Sequence, residues 1–550
     1  MTLGPSHAPR LDLDPLPLSR PTAAARGRLS IHGLSSPPAV IAAVIALATA
    51  IALLAALNRS FELDEGYTFL ILNGHPRIAW PADIFTRPDI AHWFAGTSSF
   101  GRMSADLKAY DVHPPLWFVV AQLWRHAVGP GLLAARLLSV ALMAGSLVLV
   151  ARLARRCRAP VGLTVAITAL SYAVLYTGAT VRMYPLANVL LLAGALALVR
   201  ALEPRDDRDE TRRPVLWAAL AGLAFGLGTA THLFAVFPAS ALALVAATHW
   251  LARRRHAALL VAGLAALPAV VWAASYHLVQ QTHDWQFAPF GAGSMLARIA
   301  ERYAAALFGG TPLYVPDALR VPVTALFGAL LLTALALAAL GVRQLVRDTP
   351  GRIVLAGTVA MPVALFAVGA AVGKETVELR YLVYGLPFLA MFLARGWHTQ
   401  RVAPRMAGTL IAAAFLAAQL AGAIAMPFAH MTQQAARPAV AQIARLWQPG
   451  SLLLLPQAAD TSGMTLDYAY EAPSDWPMLL VTADQDPAAL LRAVAGRPRV
   501  FAILLADAAG SAALDRAHAI LARGGWRSAG SPGADQTRLG YAWEMLLPPR

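Results

Sequence analysis

The sequence is poor in cysteine, in lysine and in charge of either sign. Cys157 is its sole cysteine, which excludes an intramolecular disulfide and a cysteine-rich zinc site. Lysine occurs only as Lys108 and Lys374, so arginine carries nearly all the positive charge; an alanine- and arginine-heavy genome accounts for that bias without a functional cause. Charged residues make up 14% of the 550-residue chain, against roughly a quarter in an ordinary soluble domain. The formal net charge of +15 would suit a nucleic-acid binder if it lay on one surface. Here the basic residues fall in short clusters between apolar runs, so they read as topological anchors and no nucleic-acid partner is expected. What is abundant is apolar: 58% of the residues are hydrophobic and the mean hydropathy is +0.55.

The apolar residues gather into runs long enough to cross a bilayer. The reading is a mostly α, polytopic membrane protein with about eleven transmembrane helices, placed near 39–57, 131–151, 160–179, 184–202, 214–231, 233–251, 257–278, 319–341, 353–372, 381–396 and 403–425. Residues 1–38, rich in Pro, Ser and Arg, read as a disordered cytoplasmic N-terminus, and Ala39–Leu57 as an uncleaved signal anchor. Arginine clusters at Arg152–Arg158, Arg205–Arg213, Arg253–Arg255, Arg343–Arg352 and Arg395–Arg405 all fall on one side if the N-terminus is cytoplasmic. The C-terminus then lies outside a cytoplasmic (inner) membrane. The segment from Pro114 to His126 is too short and too polar for a further span. It reads as a juxtamembrane helix with Trp117 and Trp124 at headgroup level. The membrane domain therefore covers 39–426, with extracytoplasmic loops at 58–130 and 279–318. Residues 427–550 form a small extracytoplasmic α/β domain. Its strands are expected at Ser451–Leu455, Met478–Val481 and Val500–Leu505, with helices at Ala488–Ala495 and Ala512–Ala522. It has no Gly-rich phosphate loop and no nucleophile elbow, so no chemistry is assigned to it.

The candidate chemistry sits in the first external loop and at the outer ends of spans. Glu62, Asp64 and Glu65 follow the first span directly, and carboxylates at a membrane surface are costly unless solvated, paired or used. Two readings stand: a solvated loop with Arg59 as partner, or a carboxylate that takes a proton from an acceptor hydroxyl while its neighbour orients the site. Asp111 and His113 precede the juxtamembrane helix at the depth of a lipid phosphate. Arg182 with Tyr184, and Arg380 with Tyr381 and Lys374, lie at outer helix ends. Snorkelling explains such arginines; so does phosphate binding, with a tyrosine supplying a further hydrogen bond. His232, at another outer helix end, reads as a helix-terminal residue facing the cavity.

The order of these motifs is the informative part. Asp64-Glu65 after the first span, then His113-Pro114-Pro115-Leu116, Arg182-Met183-Tyr184, and Arg380-Tyr381 before Pro387 resembles the membrane-embedded GT-C glycosyltransferases. The likeness is to the family 39 protein O-mannosyltransferase and aminoarabinose-transferase group, through about residue 425. The resemblance implies a GT-C fold, a polyprenyl-phosphate sugar donor, an acceptor reached from outside, and inversion at the anomeric carbon. It implies Asp64 as the base and Glu65 as a residue positioning acceptor or donor sugar. It places His113 where the group has a basic or polar residue, and Arg380 with Tyr381 where the group holds the lipid phosphate. The acceptor would be an envelope glycan, lipid or protein, and membrane lipids would surround the chain. No cofactor is required; a divalent metal on the acid pair is conceivable but unsupported. The competing classes are a transporter, which calls for charges at the midplane and paired broken helices, and a non-catalytic envelope-assembly scaffold.

Overall fold

The computed structural model describes residues 36–203, 212–280, 287–309, 317–398, 402–428, 436–457, 463–505, 508–530 and 542–550. The expected N-terminal segment through residue 35, the arginines at 205 and 208, and His283, Asp284 and Trp285 lie outside the described residues. Nine of the described helices are long and apolar enough to cross a membrane, from Pro38–Asn58 to Gly408–Phe428. Val161–Ala169 and Tyr172–Gly178 form one further element, bent by 62° at Leu170-Ser171. This is a multi-pass membrane protein.

The tenth expected span differs from the reading. Residues 381–396 are not one spanning helix: a 3-10 segment, Leu379–Tyr384, leads into a short helix, Leu386–His398. Every residue of that helix from Leu386 to Trp397 is buried, so it faces protein on all sides and needs no lipid-matched length. Interrupted backbone at membrane depth is tolerated under that condition, because neighbouring protein supplies the partners that lipid cannot. The bent element is enclosed in the same way, with Tyr172–Gly178 buried throughout. By contrast Leu260, Leu264, Leu267, Leu326 and Leu332 stand exposed on the helices His256–His277 and Asp317–Ala339, as lipid-facing side chains should.

The two ends of the bundle differ in chemistry. At one end Arg156 pairs with Glu203 at 2.5 Å, while Arg395 donates to Asp348 at 2.7 Å and to the Cys157 carbonyl at 3.0 Å. Arg158 also reaches Asp348, at 3.4 Å. At the other end lie the helices of the first loop, Leu63–Asn73, Phe100–Tyr110 and Leu116–Val128. A helix forms at Leu116–Val128, where one was expected, and Trp117 within it is fully buried. Trp124 is partly buried and donates to the Ala134 carbonyl at 2.7 Å.

The C-terminal sheet has five strands in the order β2-β1-β3-β5-β4: β1 Leu452–Pro456, β2 Met478–Val481, β3 Val500–Leu504, β4 Arg527–Ser528 and β5 Ala542–Leu547. β1 pairs in parallel with β2 and β3, and β5 runs antiparallel to both β3 and β4. The run of leucines in β1 is buried on both faces. Leu452 and Leu454 pack with Leu490, Leu514 and Ile520 of two covering helices, whereas Leu453 and Leu455 join the core that continues into the membrane domain. A side-chain period of two divides one apolar strand between two cores. β2 also makes a two-way backbone bridge with Phe85 of the first loop, at 2.9 and 2.7 Å, so the sheet sits against that loop.

Candidate active site

The helix Leu63–Asn73 starts where its sequence says a helix should. Glu62 is its N-cap, and the Glu62 N–H donates to Glu65 Oε2 at 3.1 Å in a reciprocal capping box. Asp64 and Glu65 therefore occupy the first turn, where the helix dipole favours negative charge. The helix closes at Gly74 in the left-handed region, φ 75°.

From that common turn the two acids part. Asp64 faces two arginines brought in by interrupted backbone. Arg182 follows the bent element Tyr172–Gly178, and Arg380 sits in the 3-10 segment. Arg380 Nη1 donates to Asp64 Oδ2. Arg182 Nη2 stands 4.0 Å from Asp64 Oδ1, and its Nη1 donates to the Asp64 carbonyl at 2.9 Å. Burial pushes the Asp64 carboxyl up, but Arg380, Arg182 and His113 more than offset it and hold it below the usual carboxylate range.

His113 completes the arrangement. Its Nδ1 is 2.5 Å from Asp111 Oδ1, and its Nε2 is 3.3 Å from Arg182 Nη2. A guanidinium only donates, so Nε2 accepts and the ring proton sits on Nδ1, pointing at Asp111. Asp111 Oδ1 also accepts from the Val112 and His113 N–H groups at 2.6 and 2.8 Å. Burial raises the Asp111 carboxyl, while His113 and Arg182 together bring it below its ordinary value. Gln280, from the second loop, donates to the His113 carbonyl at 3.0 Å. Beside this line lies an aromatic group: Tyr184, Tyr381 and Tyr384 around His232, at ring separations of 5.1, 5.7 and 5.5 Å. Arg380 lies 6.0 Å above the Tyr381 ring.

Glu65 is elsewhere. Its side chain is 0% exposed, against 15% for Asp64. Arg136 holds it with two hydrogen bonds, 2.8 and 2.6 Å, and the Val181 N–H donates to Oε1 at 3.0 Å. Glu62 is likewise occupied, by Arg59 at 2.8 Å and the Tyr176 hydroxyl at 2.9 Å.

The sequence-predicted residues Asp64, Asp111, His113, Arg182, Arg380 and Tyr381 thus converge, with Tyr184 beside them. Lys374 does not join: it sits in a bridge with Pro289, and among the described residues no hydrogen bond or ion pair links its ammonium to Asp64 or the arginines. Tyr384 and Arg136 were not singled out from the sequence. Arg136 left one signal, an arginine inside the apolar run Leu132–Arg156, which demands a buried partner.

The convergent donors are under-used. Arg182 Nε, Arg380 Nε, Tyr384 OH and His232 Nδ1 are buried with no hydrogen-bond partner among the described residues. Buried polar groups are normally paired, so these four atoms hold hydrogen-bonding capacity in reserve. Among the described residues no three His, Cys, Asp or Glu side chains gather as a metal-holding group.

Fold and cluster together define a multi-pass membrane protein with an arginine-rich polar site at one end of its bundle. No protein-family model matches the chain, and no curated protein matches it. Among solved structures it is similar to ArnT from Cupriavidus metallidurans bound to undecaprenyl phosphate, with 13% identity, 93% of this chain and 98% of that chain covered, and a TM-score of 0.46. The apo state of the same protein gives 13%, 92% and 97%, and 0.48. The oligosaccharyltransferase AglB from Archaeoglobus fulgidus, in complex with an inhibitory peptide and a dolichol-phosphate, gives 12%, 84% and 69%, and 0.44.

Proposed function

We propose that the chain is an inverting glycosyltransferase that moves a sugar from a polyprenyl-phosphate carrier to a hydroxyl of an envelope acceptor, at the outer face of the cytoplasmic membrane. The observation that carries this reading is the meeting of Arg182 and Arg380 at Asp64, with both Nε groups unpaired. One carboxylate does not consume the donors of two guanidiniums. The remainder suits a phosphate, which arginine grips through several donors at once.

In the reaction the bond from the anomeric carbon to the phosphate oxygen breaks, and a bond from the acceptor oxygen forms on the opposite face. The leaving group departs as a phosphate monoester anion, so it requires positive charge and no general acid. Arg380 and Arg182 supply that charge. Asp64 takes the acceptor proton, a smaller contribution, on the order of a hundredfold to ten-thousandfold. Asp111 fixes the tautomer of His113, whose Nε2 lone pair orients Arg182. Tyr184 and Tyr381 line the sugar end. Glu65 acts through Arg136 on the fold rather than on a reactant, and Lys374 stays outside the first contacts. The opposite end of the bundle, which carries Arg156, Arg158 and Arg395, faces the cytoplasm.

Purified protein incubated with a panel of polyprenyl-phosphate sugars and envelope fractions should transfer label. Arg380→Ala should weaken donor affinity roughly tenfold to a hundredfold, the worth of a charged hydrogen bond, and leave acceptor affinity nearly unchanged. The opposite pattern removes Arg380 from the phosphate. A reporter fused after Arg550 should signal an external location; a cytoplasmic signal reverses the assigned orientation.

A further inference from the structure

Five consecutive main-chain carbonyls, Ala56 to Ser60, lead from the end of the first span to the helix carrying Asp64. Two arginines satisfy all five. Arg136 donates to Ala56, Arg59 and Ser60 at 2.8, 3.0 and 2.6 Å. Arg437 donates to Leu57 and Asn58 at 3.1 and 3.2 Å. A helix ends with orphan carbonyls that need donors, and here they come from two distant places. Arg136 belongs to the membrane helix Leu132–Arg156; Arg437 lies in the helix Ala436–Leu446, after the last span.

Each arginine is itself held by a carboxylate, Arg136 by Glu65 and Arg437 by Glu471, the latter at 2.8 and 3.1 Å. Glu471 also accepts from the Phe61 N–H at 2.6 Å, and the Arg437 N–H donates to Ser60 Oγ at 3.1 Å. Glu471 ends the helix Gly463–Glu471, which presses on the same turn. Tyr470 stacks on Phe61 at 4.1 Å, and Leu466 packs closely at Gly66, where a Cβ would come within 3.1 Å of it. Asp64 lies between Phe61 and Gly66, held on both flanks by the C-terminal region.

We propose that Arg437 and Glu471 are positioning residues for Asp64, so that the region after the last span sets the placement of the catalytic carboxylate. This rests on the reading of Asp64 as the base. The Arg437 side chain is 40% exposed and that of Glu471 7%, so water reaches the pair from the arginine side and Glu471 keeps the Phe61 N–H when Arg437 is lost; the stability cost is then smaller than for a fully enclosed pair. A displacement of about 1 Å at a reacting group, in contrast, costs up to a hundredfold in rate. Loss of Arg437 should therefore be felt in turnover far more than in stability.

The test uses the full chain carrying Arg437→Ala or Arg437→Lys, with turnover, donor KM, thermal midpoint and amide hydrogen exchange measured in parallel. For Arg437→Ala, kcat should fall on the order of tenfold while donor KM stays at its wild-type value and the midpoint falls only slightly, and exchange should quicken over residues 57–66 alone. Arg437→Lys keeps the charge opposite Glu471 but not the fork, and should fall between. Unchanged kcat with unchanged exchange overturns the proposal. So does a joint fall of kcat, donor affinity and midpoint, which would mark a merely structural pair. If the wild-type chain transfers no sugar, the glycosyltransferase reading fails by itself. Exchange over 57–66 then decides whether Arg437 holds the linker, an unchanged rate overturning it.

Discussion

Asp64 and Glu65 are neighbours with the same charged group, and the helix turns them about 100° apart into opposite surroundings. Around Glu65 the charges balance and each oxygen is bonded, with Arg136, the Glu62 N–H and the Val181 N–H enclosing it completely. Around Asp64 two guanidiniums face one carboxylate and keep donors in hand. A saturated ion pair fixes backbone: this one ties the end of the first span, the acidic helix, the Arg136 helix and the bend at Val181 into one unit. An unsaturated one leaves room for a reactant anion to exchange into it. Chemistry belongs on the unsaturated side, and the saturated side keeps it in place.

The comparison breaks most directly at Asp64. Asp64→Asn keeps shape and removes the charge, so transfer should drop on the order of a hundredfold to ten-thousandfold while the thermal midpoint in detergent falls far less than in the Glu65 variant below. Full activity in that variant would put the base elsewhere. Glu65→Gln should show the inverse. It leaves Arg136 buried without its counter-charge, a loss on the order of 3–5 kcal/mol, read as a large fall in thermal midpoint and in yield of folded protein. A Glu65→Gln chain that melts normally but has lost turnover would erase the distinction and return Glu65 to the reacting groups.

Much of this was legible in the sequence, and the limits have physical causes. Apolar runs and arginine clusters marked the spans because lipid and headgroups impose composition directly, and the leucines of β1 marked a strand buried on both faces. The motifs at Asp64, His113, Arg182 and Arg380 were visible as polar residues at helix ends. Which of two adjacent acids meets which arginine was not, since that depends on helix phase and on partners at positions 136, 182 and 380. Arg437 and Glu471 gave no signal: an arginine and a glutamate 34 residues apart in a polar region look like solvent-facing charge until the carbonyls at 56–60 are seen beside them. The segment at 381–396 reads as a plain span because its composition fits one. Only the packing shows that the helix from Leu386 is enclosed on every side, which lets the turn before it leave α-helical geometry and present Arg380.

The smallest effect is the most discriminating, because it follows the charge on Asp64 through the reaction. In the free protein burial raises the Asp64 carboxyl, and Arg380, Arg182 and His113 bring it below the ordinary value, near 3.9 in model peptides. The acid limb of kcat/KM, which reports the free enzyme, should therefore lie below that value. It is also at that depressed pH, as the carboxylate gains its proton, that the ion pair stops contributing to stability. When a donor phosphate takes up Arg380, part of the charge holding Asp64 down is neutralised. The acid limb of kcat, which reports the bound state, should then sit at higher pH. Arg380→Ala should move the kcat/KM limb upward and bring the two together, because the strongest lowering charge is gone from both states. Limbs that coincide in the wild-type protein would mean that Arg380 stays with Asp64 throughout and does not pass to the donor phosphate.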